Sequence, residues 1–446
     1  MKVAVIGGGI GGLVAARALV SVGIDASVLE AGPRPGGIVA TSSVDGYVRE
    51  HAASSFLGGP PSGALALCKA LGVEVDKASL RARRRWIYLD GKLRAVPHSP
   101  IDLVTSDLLT WRGKLDLLGE PFRPAGSGDD ESVHAFAARR FGAEAARAIF
   151  APYVTGTYAA DAHAISLLAG FPELAALDTR GGLVRGLLAQ AVRGLAGKLR
   201  GKTSGATPRG MWAPRGGLGT LVAALAAELG PRIHLSRPVA RIEPADRGVR
   251  IDGERWDGAV LAVPAEDASA LVAASHLGDL ASRLAMFHRA PAALVFLGYP
   301  VASVPGASDS FGFLVAHGEN VRVLGVMFES TVWPGRAPEG HVLLRCVFGG
   351  GRDPEATGQG DAALIAQARH DLGIVLGVDA DPSHTSIVRC KRGVAQYGLG
   401  HRDRVRDAVA LARGQRIVLA GSDYRGPGIN DLCADAASIV AEVCAW

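Results

Sequence analysis

Three glycines and a glutamate carry the most legible chemistry in this chain. Gly7, Gly9 and Gly12 stand at G-x-G-x-x-G spacing, and Glu30 follows after about twenty residues. Such a loop lets the backbone turn tightly, approach a pyrophosphate closely and pack a helix against a strand. A helix that starts there turns unpaired N–H groups and the positive end of its dipole toward phosphates. Glu30 can then accept both hydroxyls of an adenosine ribose, so the set is suited to holding a dinucleotide. A second cluster, Arg81, Arg83, Arg84 and Arg85, precedes the apolar run Trp86-Ile87-Tyr88-Leu89. Two readings stay open for it: a solvated basic face, or a clamp in which a guanidinium at the mouth of an apolar strand takes a carboxylate in bidentate fashion.

These side chains need elements to position them. Lys2 to Ile6 is an apolar, β-branched run that predicts a strand; Leu13 to Leu19 resumes with helical spacing, and Asp25 to Leu29 predicts a second strand ending at Glu30. Asp45-Gly46 marks a hairpin between two short strands in 38–56, and 60–71 reads as a short helix. Trp86 to Leu89 reads as a strand that turns at Asp90-Gly91. From 100 to 200 the pattern is mostly helical, with a polar break at 124–130 and a helix start at Asp130 to Ser132. Within it, Leu183, Leu187, Leu188, Ala191, Val192, Leu195 and Leu199 share a face, with Arg185, Arg193, Lys198, Arg200 and Lys202 on the other. That stretch suits either a membrane-surface helix or a core-facing helix with solvated charges.

Arg215 to Leu221 opens another helix. Short strands at 233–235, 239–242, 249–251 and 259–263 then return the chain to the nucleotide-binding unit, which is therefore discontinuous. Strands at 295–297, 311–315, 323–328 and 342–348 predict an antiparallel sheet forming one wall of a pocket. Asp361 to Leu376 is a helix, and Ile417 to Gly421 is a strand that runs through a glycine turn into a closing helix. The start of that last helix is a second candidate for meeting a cofactor.

Composition narrows the function classes. The 446 residues carry a net charge of +5, with a pI of about 9.0 and mean hydropathy of +0.21. This balance suits acidic small molecules or an anionic membrane surface. The basic residues are dispersed and accompany no nucleic-acid motif, so no nucleic-acid partner is expected. Twelve histidines without ligand spacing and five cysteines without a C-x-x-C pair predict neither a metal site nor a disulfide framework. The first strand begins at Lys2, so no leader is expected, and prolines at 291, 300 and 305 break the one uncharged run, 290–308, long enough to span a bilayer.

Gly36 and Gly37, just past the ribose carboxylate, resemble the flavoprotein oxidases that bind FAD along an extended chain. The wider pattern resembles the protoporphyrinogen oxidase family of the flavin amine-oxidase superfamily. The residues that carry the resemblance include Arg85-Trp86-Ile87-Tyr88, Arg140-Phe141-Gly142, Gly156-Thr157-Tyr158-Ala159, Gly216-Gly217-Leu218, Phe311 to Val315, Gln396-Tyr397 with Gly400-His401, and Gly421 with Gly428 to Asp431. The chain departs from the family pattern at Arg49 to Ala53, where Glu50 stands as a displaced acid, and at Cys390, Ala395 and Leu432.

The resemblance implies an α/β fold, α+β overall. A discontinuous Rossmann-like FAD-binding domain would take 1–75, 208–265 and 395–446; a mixed-sheet substrate domain 76–97 and 266–394; and an inserted helical domain, suited to membrane docking, 98–207. FAD would be held without a covalent bond by Gly7, Gly9, Gly12, Glu30, Arg34, Gly36, Gly37, Val239, Gly421, Gly428, Ile429 and Asn430. Arg85 would pair with a substrate propionate, while Phe311, Leu314, Val347 and Gly156 would line the pocket over a macrocycle. The implied activity is oxidation of protoporphyrinogen IX to protoporphyrin IX in haem biosynthesis, with molecular oxygen as acceptor and hydrogen peroxide as by-product. No catalytic acid or base is nominated, because the redox chemistry belongs to the cofactor and each step delivers hydride to flavin N5. Coproporphyrinogen III, whose four propionates would call on Arg83 or Arg84, stays open as substrate. So do a divergent FAD oxidase and a non-catalytic porphyrin-binding role. A cytoplasmic site, peripheral attachment to the membrane face there and a homodimer are compatible with this reading.

Overall fold

A computed structural model of the chain describes residues 1–59, 63–97, 100–180, 182, 210–275 and 277–446. Among them, five parallel strands form one sheet in the order Ile233–His234, Asp25–Leu29, Lys2–Ile6, Gly258–Leu261 and Ile417–Leu419. A parallel sheet covered on both faces requires strands that are apolar on both sides; Val3, Ala4, Val5 and Ile6 are accordingly all buried. On one face Val3 and Val5 pack with Leu13 and Leu19 of the helix Ile10–Ser21, Leu225 of Leu218–Leu229 and Val443 of Ile429–Cys444. On the other, Ala4, Ile6 and Leu261 meet Ile242, Val249 and Trp256. The latter belong to a separate three-stranded antiparallel sheet, Ile242–Ala245, Gly248–Ile251 and Glu254–Trp256. The predicted 239–242 strand is thus corrected: it starts at Ile242 and joins this small sheet, because Ala240 and Arg241 donate their N–H groups to the Asp252 carboxylate instead of to a ladder.

The second large sheet has seven strands, ordered His384–Ala395, Arg289–Pro300, His341–Gly349, Gly325–Phe328, Ser310–Val315, Arg84–Leu89 and Lys92–Ala95. It is mixed, since Ser310–Val315 pairs in parallel with Arg84–Leu89. The antiparallel expectation holds for all the strands it named, including Arg289–Pro300 with His341–Gly349, which no turn joins; the parallel pair arises because Arg84–Leu89 arrives from a remote part of the chain, and no hairpin dictates its direction. Pro291 falls at the irregularity between Ala290 and Ala292, where a missing N–H costs no ladder bond. One face of this sheet is a core in which Phe313, Val326, Phe328, Cys346 and Phe348 pack with Leu364, Ala368 and Leu372 of the helix Asp361–Leu376. Each such side chain contributes about 1.5–3 kcal/mol by leaving water.

A helical layer packs on the sheet face that carries Ile87 and Leu89. Ser132 accepts the Ala135 N–H at 3.1 Å and starts the helix Val133–Phe141. That helix buries Phe136 and Phe141 with Phe150, Ile87 and Leu89. Arg140, fully buried, is neutralised there by Glu120 and Asp178. The predicted helix at 60–71 is described over Gly63–Ala70; the basic amphipathic stretch from Leu183 to Lys202 lies outside the described residues.

Candidate functional site

The turn after the first strand is built from glycines for reasons of space. A side chain on Gly12 would collide with the carbonyl of Gly7, and one on Gly7 would stand 2.8 Å from the Ala262 oxygen, at a φ of +102°. Gly36, whose N–H donates to the Gly8 carbonyl at 2.7 Å, bridges to Gly9 and leaves no room against Val39 and Val222. Gly37 lies against the Gly9 Cα. Arg34 closes this loop by donating to the carbonyls of Pro35 and Gly37. Gly9 itself is different: a Cβ there would meet nothing within 4 Å. It caps Ile10–Ser21 without any side-chain partner or first-turn acid, so the helix offers its N-terminal N–H groups to that open side.

Glu30 receives the Gly8 N–H at 2.6 Å on one oxygen and the Gly32 N–H at 2.7 Å on the other. Each oxygen keeps a lone pair for a hydroxyl donor. Val239 packs beside Ile6 and Leu29 in the same layer, two residues beyond Arg237, whose N–H donates to the Glu30 carbonyl. The second glycine turn comes to the same place. A Cβ on Gly11 would lie 3.6 Å from the Gly421 Cα and 3.5 Å from Leu432, while Gly421, like Gly9, faces open space. Gly428 caps Ile429–Cys444, its N–H held by Asp431 at 2.9 Å. Asn430 turns its side chain away, accepting from Ala64 N and donating to the Leu57 carbonyl. Two helix N-termini and the Glu30 carboxylate thus converge on one open, glycine-walled side, and this cradle fits a dinucleotide such as FAD.

The candidate substrate residues fall in two adjacent rows on the outer face of the seven-stranded sheet. In one row Leu314 pairs with Gly325 and Gly325 with Val347, and Leu314 packs within 3.1 Å of the Cβ position of Gly156. In the other, Arg85 pairs with Gly312 and lays its guanidinium 4.7 Å from the Phe311 ring centroid. The ladder shifts register between Ser310 and Gly312, which lets Phe311 join Met327 and Met211 instead of the core on the other face. Arg83 and Arg84 stay at the exposed rim, Arg84 paired with Asp309 at 3.0 Å.

Two of the segments that carry the resemblance, Gln396-Tyr397 and Gly400-His401, build a scaffold whose contacts the sequence did not show. Tyr397 is buried with its hydroxyl donating to the Ser422 carbonyl at 2.6 Å and accepting the Gly426 N–H at 3.0 Å. His401 stacks on that ring at 4.1 Å, and burial pushes its pKa down to about 4. Asp423, also buried, pairs with Arg289 at 2.8 Å and receives Ala265 N. This scaffold fixes the Gly421–Gly428 turn from behind. Under the sheet face lies a buried charge group: Arg336 bridges Glu50, at 2.9 Å, and Glu329. Glu50 also caps Leu218 N and takes the Thr41 hydroxyl, yet burial raises its pKa. Of these, Tyr397, His401 and Glu50 stood out in the sequence, the first two within the resemblance and Glu50 as an acid out of its usual place; Arg289, Asp423, Glu329 and Arg336 did not.

With this geometry in hand, comparison with known proteins is decisive at the level of family. The flavin-containing amine oxidoreductase profile matches residues 10–443. The chain belongs to that family. It is an FAD-dependent oxidoreductase. It is 30% identical to protoporphyrinogen oxidase of Bos taurus, covering 99% of this chain and 98% of that one. It is 27% identical to coproporphyrinogen III oxidase of Bacillus subtilis strain 168, over 97% and 95% of the two chains. A crystal structure provisionally named as protoporphyrinogen oxidase, from Exiguobacterium sp. 255-15, superposes with a TM-score of 0.82 at 23% identity, covering 99% and 98%. The crystal structure of reduced UDP-galactopyranose mutase gives 0.73 at 16%, covering 100% and 95%. These structural likenesses carry the fold: the α/β architecture with mixed sheets read from the sequence.

Proposed function

We propose that this chain oxidises a porphyrinogen to the porphyrin in tetrapyrrole biosynthesis. The observation that carries the reading is Arg85, a cation laid over Phe311 at one end of a sheet face floored by Gly312, Gly325, Leu314 and Val347. A flat, apolar macrocycle with acidic arms matches such a surface, and the names of the relatives from Bos taurus and Bacillus subtilis point the same way. Bound FAD would supply a two-electron acceptor that passes its electrons to oxygen and yields hydrogen peroxide. The chain's own part is to hold the macrocycle flat, keep water from it and anchor a carboxylate at Arg85. Protons released from the ring nitrogens go to water, so no side chain is assigned as a base. The division of labour follows the ranges read from the sequence: 1–75, 208–265 and 395–446 for FAD, 76–97 and 266–394 for substrate, 98–207 for the helical insertion. FAD is held without a covalent link.

Peripheral attachment on the cytoplasmic membrane face belongs to the same proposal. Among the described residues no helix is long and apolar enough to cross a membrane. The helix Trp111–Leu118 nevertheless exposes Trp111, Leu115 and Leu118 by more than 65% each, with Phe122 just beyond at 87%. Those positions share one face, as expected of a helix lying in a lipid interface. The test of function is an aerobic assay of the FAD-loaded protein with protoporphyrinogen IX and coproporphyrinogen III, following porphyrin fluorescence and peroxide. Failure to accelerate either over a no-enzyme control would overturn the reading.

A further inference from the structure

Arg345 is a second arginine on the substrate face. It lies in His341–Gly349, pairs with Met327, which pairs with Gly312, which pairs with Arg85. Directly paired residues point to one side of a sheet, so Arg85, Met327 and Arg345 share the outer face. Their neighbours Val326 and Cys346 are buried on the core face, as the alternation requires. Three inter-strand steps separate the two arginines, about 14 Å between their backbone positions. Between them in this row lie Gly312 and Met327.

The surroundings of Arg345 leave its charge partly unanswered. Among the described residues it makes one hydrogen bond, from Nη2 to the Ala52 carbonyl at 2.5 Å, and no ion pair. Its Nε is sealed from solvent without an acceptor. Glu50 and Glu329 are close enough to favour its charge, but neither bonds to it: each gives an oxygen to Arg336, and the second oxygen of Glu329 is buried without a hydrogen bond. Burial accordingly lowers its proton affinity below the usual arginine range. A desolvated guanidinium with an orphaned donor is a receptor for an incoming carboxylate.

We propose that Arg345 is a specificity-determining residue that takes a carboxylate at the edge of the macrocycle opposite Arg85, which makes this a site for a tetracarboxylate porphyrinogen. The inference rests on the porphyrinogen reading of the site. Coproporphyrinogen III carries a propionate on every pyrrole and can reach both arginines at once. Protoporphyrinogen IX carries its two propionates on adjacent pyrroles at one edge and can engage only one. Arg83 and Arg84, the candidates suggested by sequence for extra propionates, are at the rim and do not share this row.

The test compares FAD-loaded wild type, Arg345→Gln, Arg345→Lys and Arg85→Gln with both porphyrinogens in turnover. The same proteins are titrated with coproporphyrin III and protoporphyrin IX by fluorescence quenching. Wild type should favour the coproporphyrin series. Arg345→Gln should lower kcat/KM and binding for that series by about 10- to 100-fold, the worth of a charge-assisted hydrogen bond. It should leave the protoporphyrin series within about threefold, with Arg345→Lys in between and Arg85→Gln weakening both. Equal losses on both ligands in Arg345→Gln and Arg345→Lys would show a structural role and overturn the proposal, as would no loss on either. If Arg345→Gln does not retain FAD, Arg345→Lys decides alone by the same ratio. If wild type binds coproporphyrin III selectively through Arg345 but oxidises neither substrate, the oxidase reading falls and the two-arginine site stands. If neither porphyrin binds, both fall.

Discussion

Substituting His401 tests the scaffold behind the Gly421–Gly428 turn through its pH dependence. The imidazole is only 5% exposed, stacked on Tyr397 and edge-on to Phe287, with its Nε2 buried and unpartnered. Burial, with Arg404 adding to it, pushes the pKa from 6.5 to about 4. A base whose folded-state pKa is depressed leaves the folded protein with fewer bound protons than the unfolded chain between those two values. Stability is therefore full above pH 6.5 and is lost as pH falls toward 4. At 1.36 kcal/mol per unit, the loss between pH 7.5 and 4.5 amounts to about 2.5 kcal/mol. That is a large fraction of a typical folding free energy of about 5–15 kcal/mol. His401→Phe keeps the ring stack and removes the titrating group. Urea unfolding of the FAD-loaded proteins, followed by tryptophan fluorescence across that range, should show the wild type losing about 2.5 kcal/mol more than the variant. The comparison must be a difference, because Asp435 works in the opposite sense. Burial raises its carboxyl to about 6, so protonation there adds stability as pH falls from 6 toward 3.8. A wild-type minus variant difference that stays flat with pH would refute the argument, since it would mean that the ring titrates as a solvated imidazole.

Three further outcomes follow from the geometry. Arg85→Ala should raise KM for the porphyrinogen at least tenfold while FAD content stays unchanged, and an unaltered KM would remove Arg85 from the site. Gly9→Ala should fold, because a Cβ there meets nothing, but should bind FAD more weakly by intruding on the cradle; Gly12→Ala should fail to fold, because its Cβ collides with the Gly7 carbonyl. Soluble yield and flavin absorbance of the two variants decide this, and equal behaviour would count against the assignment. Co-sedimentation with anionic vesicles at low salt should drop several-fold in Trp111→Ser with Leu118→Ser, and binding that persists unchanged would exclude the exposed helix face as the docking surface.

The sequence made the first thirty-seven residues legible because local rules suffice there. Strand Lys2–Ile6, helix Ile10–Ser21 and strand Asp25–Leu29 follow from apolar periodicity and from turn glycines whose conformation no other residue matches. The helix Asp361–Leu376 was equally plain, bounded by Gly360 and Gly377. What stayed hidden was whatever depends on distant pairing. The strand His384–Ala395 is polar, since much of it lies at an edge, and it shows no alternation to find. The parallel partner of Ser310–Val315 lies in a different third of the chain. Arg345 sits inside an apolar run, Val342 to Phe348, and nothing local says that its side chain emerges on the face with Arg85. The hydroxyl bonds of Tyr397 and the Glu50–Arg336–Glu329 group likewise exist only once remote segments have met.

The parallel pairing of Arg84–Leu89 with Ser310–Val315 also has a consequence for how the chain is made. The first strand leaves the ribosome more than two hundred residues before this partner, so although Lys92–Ala95 can close one of its edges at once, the other must wait through the synthesis of everything between. Pairings of such long range close slowly, because the loop entropy is spent before any contact returns it. An apolar strand waiting in that way is a hazard for aggregation. Arg83, Arg84 and Arg85 at its start place three like charges on the exposed end and discourage edge-to-edge association with another nascent chain. The basic run would thus act as a gatekeeper during the protein's birth, and neutralising Arg83 and Arg84 should lower soluble yield more than it lowers the stability of the protein once folded.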